Sequence, residues 1–160
     1  MLNLVNAAPM LVIGDVMLDR YVHGSASRLS PEAPVPVLTW THDQHVAGGL
    51  PTWRRTSRPR GERGAGQSGR GRRRCSAALI RPRALGDLLD ASFAVRRDRP
   101  TTLKTRFVTD GQQLLRLDVA DARSVCAETE EELLDLITRQ MPRCEVVVLS
   151  DYRKGVQTPV

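Results

Sequence analysis

Cysteine is scarce: Cys75, Cys126 and Cys144 are the whole supply, and no two form a C-x-x-C pair. An odd, scattered set builds neither a disulfide framework nor a tetrahedral zinc site, so a reducing cytoplasm is the expected setting. Long apolar runs are lacking too. The opening stretch from Met1 to Ile13 has no basic start and is interrupted by Asn3, Asn6 and Pro9, so neither a signal peptide nor a membrane span is expected. Aromatics amount to only 4% of residues, and an apolar fraction of 41% sits near the lower edge of globular composition. A length of 160 residues still suffices for one ordinary domain.

Acid is missing from one region rather than from the whole. Residues 51–83 hold 11 arginines against the single acid Glu62, a local net charge of +10, whereas the whole chain carries only +6. The remainder is therefore mildly acidic at −4, and the basicity belongs to one segment. That segment is dominated by Arg, Gly, Ser and Pro without helical or strand periodicity. It offers too little apolar surface to offset roughly 1–2 kcal/mol of backbone entropy per ordered residue, so disorder is expected from 50 to about 83. Gly64-Ala65-Gly66-Gln67 and Gly69-Arg70-Gly71 look like phosphate-cradling loops only superficially, since no strand is expected before them and no amphipathic helix after. An arginine-rich arm would bind nucleic acid by counterion release. With Trp53 as its only aromatic it stacks bases poorly, which favours incidental, salt-sensitive binding.

Two stretches carry the clearest organisation. Met10 to Ile13 reads as a buried strand ended by Gly14, with Asp15 and Asp19 just past its carboxyl end. Val146 to Leu149 repeats the pattern and delivers Asp151 and Lys154. Ligands of open α/β sheets bind outside the carboxyl ends of the strands, so the two ends read as two walls of one polar site. Aspartates in such places also simply cap turns.

Between them, Pro34 and Pro36 each remove a ladder donor and suit an edge strand or flap. His42 and His45, three apart on a strand, point to opposite faces and do not make a metal pair. Gly48-Gly49 offers a turn where main-chain amides approach a ligand. Leu85, Leu88 and Leu89 share a helical face, and Ser92 to Val95 suggests a strand. Asp110-Gly111 between Thr101–Thr109 and Gln112–Asp118 predicts a two-residue hairpin, because both turn positions need positive φ. Lys104 and Arg106 then share a face, either to grip a phosphate or merely to meet solvent. Thr129-x-x-Glu132 reads as a capping box, followed by Leu133, Leu136, Ile137 and Met141 on one helix face and by Pro142 as the stop. The order is α/β with a β-rich accessory part.

Gly14 to Tyr21, Ser27 to Val37, Gly48-Gly49, Thr102 to Arg106, Gln112 to Asp118 and Leu149 to Gly155 resemble the ribokinase family of sugar kinases. The likeness is strongest to the bacterial D-glycero-β-D-manno-heptose 7-phosphate kinases of ADP-heptose and lipopolysaccharide synthesis. The resemblance implies the N-terminal part of a ribokinase-like fold, a central, mostly parallel sheet plus a small β lid, in an incomplete α/β domain. Residues 20–49 would form the lid-like segment, 50–83 an insert and 84–160 the α/β continuation. The implied reaction is phosphoryl transfer from ATP, with Mg2+, to the anomeric hydroxyl of a heptose 7-phosphate. Asp19 aligns with the family's sugar-binding aspartate and Gly48-Gly49 with the loop that approaches the sugar. Lys104, Arg106 and Lys154 become anchors for the substrate's phosphate, with Asp151 beside them. The Pro-rich stretch 28–37 would belong to the lid, which in relatives also forms a homodimer contact.

The chain departs from the family after Gly49, where G-G-A-A-N-V-A is expected and Leu50-Pro51-Thr52-Trp53-Arg54 stands. Read one base later through permitted codons, those five residues become Ala-Ala-Asn-Val-Ala. Residues 50 to about 82 are therefore expected to be frameshifted translation. The family's later G-A-G-D motif, with the catalytic base and nucleotide site, has no counterpart before Val160. A fragment that binds neither ATP nor Mg2+ and has no kinase activity alone is the expectation, with uncovered, association-prone sheet faces. The rival readings are a nucleic-acid-binding arm and a non-catalytic dimerisation fragment.

Overall fold

The computed structural model describes residues 9–49, 63–69, 90–96 and 99–157. A single strand organises it. β1 (Met10–Leu29) is 20 residues long, and Leu11 through Leu18 are all buried. Side chains of a strand alternate sides, so an unbroken buried run requires cover on both faces. Leu11 and Ile13 pack against Ile137 of α1 (Ala127–Gln140) and against Cys144. Val12, Val16 and Leu18 gather with Ala47 on the opposite side, flanked by Met10, Phe93, Leu103 and Val148. Each such apolar side chain, fully buried, contributes roughly 1.5–3 kcal/mol.

β1 serves two sheets in succession. Residues 10–15 lie between β3 (Arg63–Gly69) and β7 (Val146–Ser150), both parallel to β1, with β4 (Asp90–Arg96) parallel beyond β3. From Val16 onward the neighbours change. β2 (Pro36–Gly49) pairs antiparallel on one side and β5 (Thr102–Thr109) parallel on the other, with β6 (Gln112–Val119) antiparallel outside β5. The result is a parallel sheet ordered β4-β3-β1-β7 and a mixed lid sheet ordered β2-β1-β5-β6.

The strand expected to end at Gly14 therefore does not end there. A new pair of partners takes over the ladder, so the main-chain N–H and C=O groups stay paired and the strand continues. Gly14 marks the crossing: its φ is +157, and a Cβ there would overlap the Ser150 carbonyl oxygen. Asp15 and Asp19 accordingly lie within the strand, not past it.

The expected disorder from 50 to 83 is overturned for Arg63–Gly69, which is β3. A parallel ladder is made by backbone groups, and β3 lies between β1 and β4, which supply the apolar side chains. A Gly-rich sequence can thus complete a sheet without any periodicity of its own. Residues 50–62 and 70–89 lie outside the described residues, and with them the departure after Gly49 and the Leu85/Leu88/Leu89 helix.

Other local expectations are met. Among the described residues β2 pairs with β1 alone, and it begins with Pro36, whose missing N–H costs nothing at a strand start on an edge. Asp110 and Gly111 have φ of 48 and 78 between paired Thr109 and Gln112. Pro142 lies in a 3-10 turn, Met141–Arg143, that closes α1. The capping box is a correction. Cys126 is the N-cap, and Thr129 is a buried residue inside the first turn whose hydroxyl accepts from Arg96 Nε at 2.5 Å. A tertiary partner has claimed the hydroxyl that a cap would need. Apolar side chains remain exposed along β6 (Leu115, Leu117) and β7 (Val147, Leu149). No described helix is long and apolar enough to cross a membrane.

Candidate functional site

The register of the lid sheet brings chosen side chains to one face. Asp19 is paired with Lys104 and Tyr21 with Arg106 across β1 and β5, while Met17 is paired with Gly48 across β1 and β2. Register partners share a face and alternate residues repeat it, so Asp19, Tyr21, Lys104, Arg106 and Gly48 lie on one side. Arg106 Nη1 donates to Asp19 Oδ1 in an ion pair. That bond raises the Arg106 pKa above its ordinary value, against the opposing effect of burial. The guanidinium also lies 5.2 Å from the centroid of the Tyr21 ring, within cation–π range. The absent side chain at Gly48 matters: a Cβ there would overlap Asp19 Oδ2. Gly48 and Gly49, expected as a turn, instead continue β2, paired with Met17 and Val16, because β1 extends past Gly14 to meet them.

The loop after β7 closes the other side. Lys104 Nζ lies 5.8 Å from the centroid of the Tyr152 ring, so the lid face and this loop meet. The loop is gripped by Asp15, a carboxylate only 2% exposed, which accepts main-chain N–H groups of Tyr152 (3.0 Å), Lys154 (3.1 Å) and Val156 (3.4 Å). Arg99, 8% exposed, grips it through the opposite polarity. Its Nη2 donates to the carbonyls of Lys154 and of Asp121, the latter at 2.7 Å. Gly155, at φ +89, passes so close to Arg123 that a Cβ would overlap its carbonyl oxygen.

Asp19, Gly48, Lys104 and Arg106 are thus brought together, whereas Lys154 is fixed through its backbone to Asp15 and Arg99. Asp151 is exposed, and its carboxylate accepts the N–H of Arg153 at 2.7 Å, a local turn contact. The acid that joins β1 to the β7 end is Asp15. Sequence reasoning noticed Asp15 without assigning it and missed Tyr21, Tyr152 and Arg99. Tyr21 was legible, two residues after Asp19 on a strand; Arg99 carried no local signal.

The two histidines of β2 lie apart as expected: His42 is paired with His23, and His45 with Arg20. The His23 and His42 rings stack at 4.5 Å, and among the described residues no group of three metal-ligating side chains forms. On the other face of the lid, Asp43 accepts from Arg20 Nε at 2.9 Å and from Trp40 Nε1 at 2.8 Å. Burial raises its pKa, but the Trp40 and Arg20 hydrogen bonds outweigh burial and hold it below the usual carboxylate value. A depressed folded-state pKa stabilises above the unfolded value and is lost as pH falls through the folded one. Acidifying through that lowered pKa, beneath the ordinary carboxylate value, should therefore release the Trp40 indole. A Trp40 indole N–H resonance unmoved down to global unfolding would show that Asp43 does not hold it.

Two clefts among the described residues bear on the ATP and Mg2+ that the resemblance implies. The cleft lined by Arg96, Arg99 and Arg123 beside the start of α1 holds about 120 Å3, below the size of ordinary ligand pockets. The hollow of about 300 Å3 along α1 is walled largely by Leu133, Leu134, Ile137 and Val156, not by triphosphate donors.

No family model matches the chain. The bifunctional protein HldE of Hyphomonas neptunium is 39% identical over 154 residues, 93% of this chain and 31% of that protein. HldE of Rhodopseudomonas palustris is 37% identical over 167 residues, 99% of this chain and 33% of that protein. The chain thus spans about a third of the length of these curated relatives. Among solved structures, the Escherichia coli phosphofructokinase-2 complexed with fructose-6-phosphate superposes with a TM-score of 0.63 at 14% identity, covering 90% of this chain and 45% of that one. An Agrobacterium tumefaciens carbohydrate kinase gives 0.55 at 18%, covering 89% and 45%. The chain has part of the ribokinase-like carbohydrate-kinase fold and is similar, over nearly all its length, to about a third of HldE.

Proposed function

We propose that the chain is the sugar-recognition part of a carbohydrate kinase that transfers phosphate from ATP to the anomeric hydroxyl of a heptose 7-phosphate, for ADP-heptose and lipopolysaccharide core synthesis. The observation that carries this reading is the meeting of Asp19, Gly48, Lys104 and Arg106 on one lid face against the Tyr152 loop. Asp19 accepts hydrogen bonds from sugar hydroxyls, and the bare backbone of Gly48 and Gly49 lets the ring approach. On this reading Lys104 and Arg106, with Lys154 from the loop, hold the 7-phosphate, and Asp151 contributes from the same loop. Two or three cations around a phosphate give charge-assisted, partly bidentate hydrogen bonds. On this reading the chain orients the sugar and does not carry out the transfer alone, since phosphoryl transfer depends on charge positioned around the γ-phosphate and the family's G-A-G-D motif has no counterpart in this sequence.

Calorimetric titration of the purified chain with heptose 7-phosphate should show saturable binding, while ATP-dependent formation of a bisphosphate should be absent. Absence of binding would sink the sugar-site reading, and turnover would sink the claim of inactivity.

A further inference from the structure

On the reading just proposed, two substrate-binding groups occupy one another. Asp19 gives one carboxylate oxygen to Arg106 Nη1 and rests the other against Gly48. Both side chains are largely withdrawn from water, 21% exposed for Arg106 and 17% for Asp19. So paired, the charge of Asp19 is already partnered, which weakens it as an acceptor for a sugar hydroxyl, and Arg106 is likewise neutralised. Tyr21 beneath the guanidinium keeps the group in place when its hydrogen bond is exchanged. Lys104, lying over Tyr152 instead, covers nothing.

We infer that Arg106 is a phosphate-operated mask on Asp19: a sugar phosphate draws the guanidinium to itself and thereby frees Asp19 for the sugar hydroxyls. A phosphate carries more charge and more acceptor oxygens than a carboxylate and matches the guanidinium fork in two bonds. A neutral sugar must break the pair with nothing to offer Arg106, leaving a largely buried cation unpaired. The site thus discriminates by charge at a position remote from the reacting hydroxyl. Because coupling between two ligands is reciprocal, inorganic phosphate and unphosphorylated heptose should help each other bind.

The wild-type chain tests this directly by calorimetry. Saturating inorganic phosphate should tighten unphosphorylated heptose about tenfold, the scale expected for exchanging one charge-assisted hydrogen bond. Arg106→Met, checked for an unchanged melt, should bind heptose about tenfold more tightly than wild type, bind heptose 7-phosphate more weakly, and lose the phosphate effect. Arg106→Lys should keep part of the coupling. Phosphate that competes with heptose or leaves its affinity unchanged overturns the mask, as does weaker heptose binding by Arg106→Met. Wild-type binding of heptose 7-phosphate without coupling removes the mask alone. No binding of heptose 7-phosphate removes the proposed function as well.

Discussion

Replacing Asp15 by Ala should lower stability by about 3–5 kcal/mol, the scale for leaving three buried main-chain donors unpaired. At the size of this chain that corresponds to a melting point lower by about 10 °C or more. The carboxylate is 2% exposed and accepts three main-chain N–H groups from Tyr152, Lys154 and Val156. Alanine leaves those donors without acceptors in a place water barely reaches, which is the costly way to lose a hydrogen bond. Arg99 would still hold the Lys154 carbonyl, so the loop should loosen rather than detach. Amide hydrogen exchange should accelerate first at Tyr152, Lys154 and Val156, and sugar phosphate binding should fall with it. Asp15→Asn keeps one accepting oxygen and should cost less than half as much. If Asp15→Ala melts like wild type, the loop is held by something other than this acid.

Gly48→Ala should reduce heptose 7-phosphate affinity about 100-fold, the scale of a roughly 1 Å misplacement in a positioned site. The added Cβ would fall on Asp19 Oδ2, so the carboxylate must turn away and its bond to Arg106 must break or shift. Stability should suffer much less. Gly48 lies outside the positive-φ region, so alanine brings no backbone penalty of that kind. Binding and melting should therefore come apart in this variant, while in Asp15→Ala they fall together. Gly48→Ala that binds like wild type would show that Asp19's position does not govern recognition.

Much of the chain was legible because its signals are local. Asp110-Gly111 requires a tight turn whatever surrounds it, and both residues take the positive φ that the pair is suited to. Period-two alternation placed Lys104 and Arg106 on one face and His42 and His45 on opposite ones, since a strand leaves no other choice. The errors have a different origin. Gly14 looked like a strand end because nothing local says that β2 and β5 wait to pair with the next residues. Thr129 looked like a cap because nothing local says that Arg96, on a strand 33 residues earlier, will take its hydroxyl. Arg63–Gly69 looked shapeless because its order comes from neighbours on both sides.

Side-chain period, turn chemistry and residue identity along short stretches suffice for the apolar strands, the hairpin, the amphipathic helix and the kinase-like motifs. It took the folded chain to carry β1 on through two sheets, to set Asp15 under the loop after β7, and to lay Arg106 on Asp19. The last two depend on groups 87 to 141 residues apart meeting in space. A contact between residues so far apart in the chain is fixed by strand order and register, which no local pattern encodes.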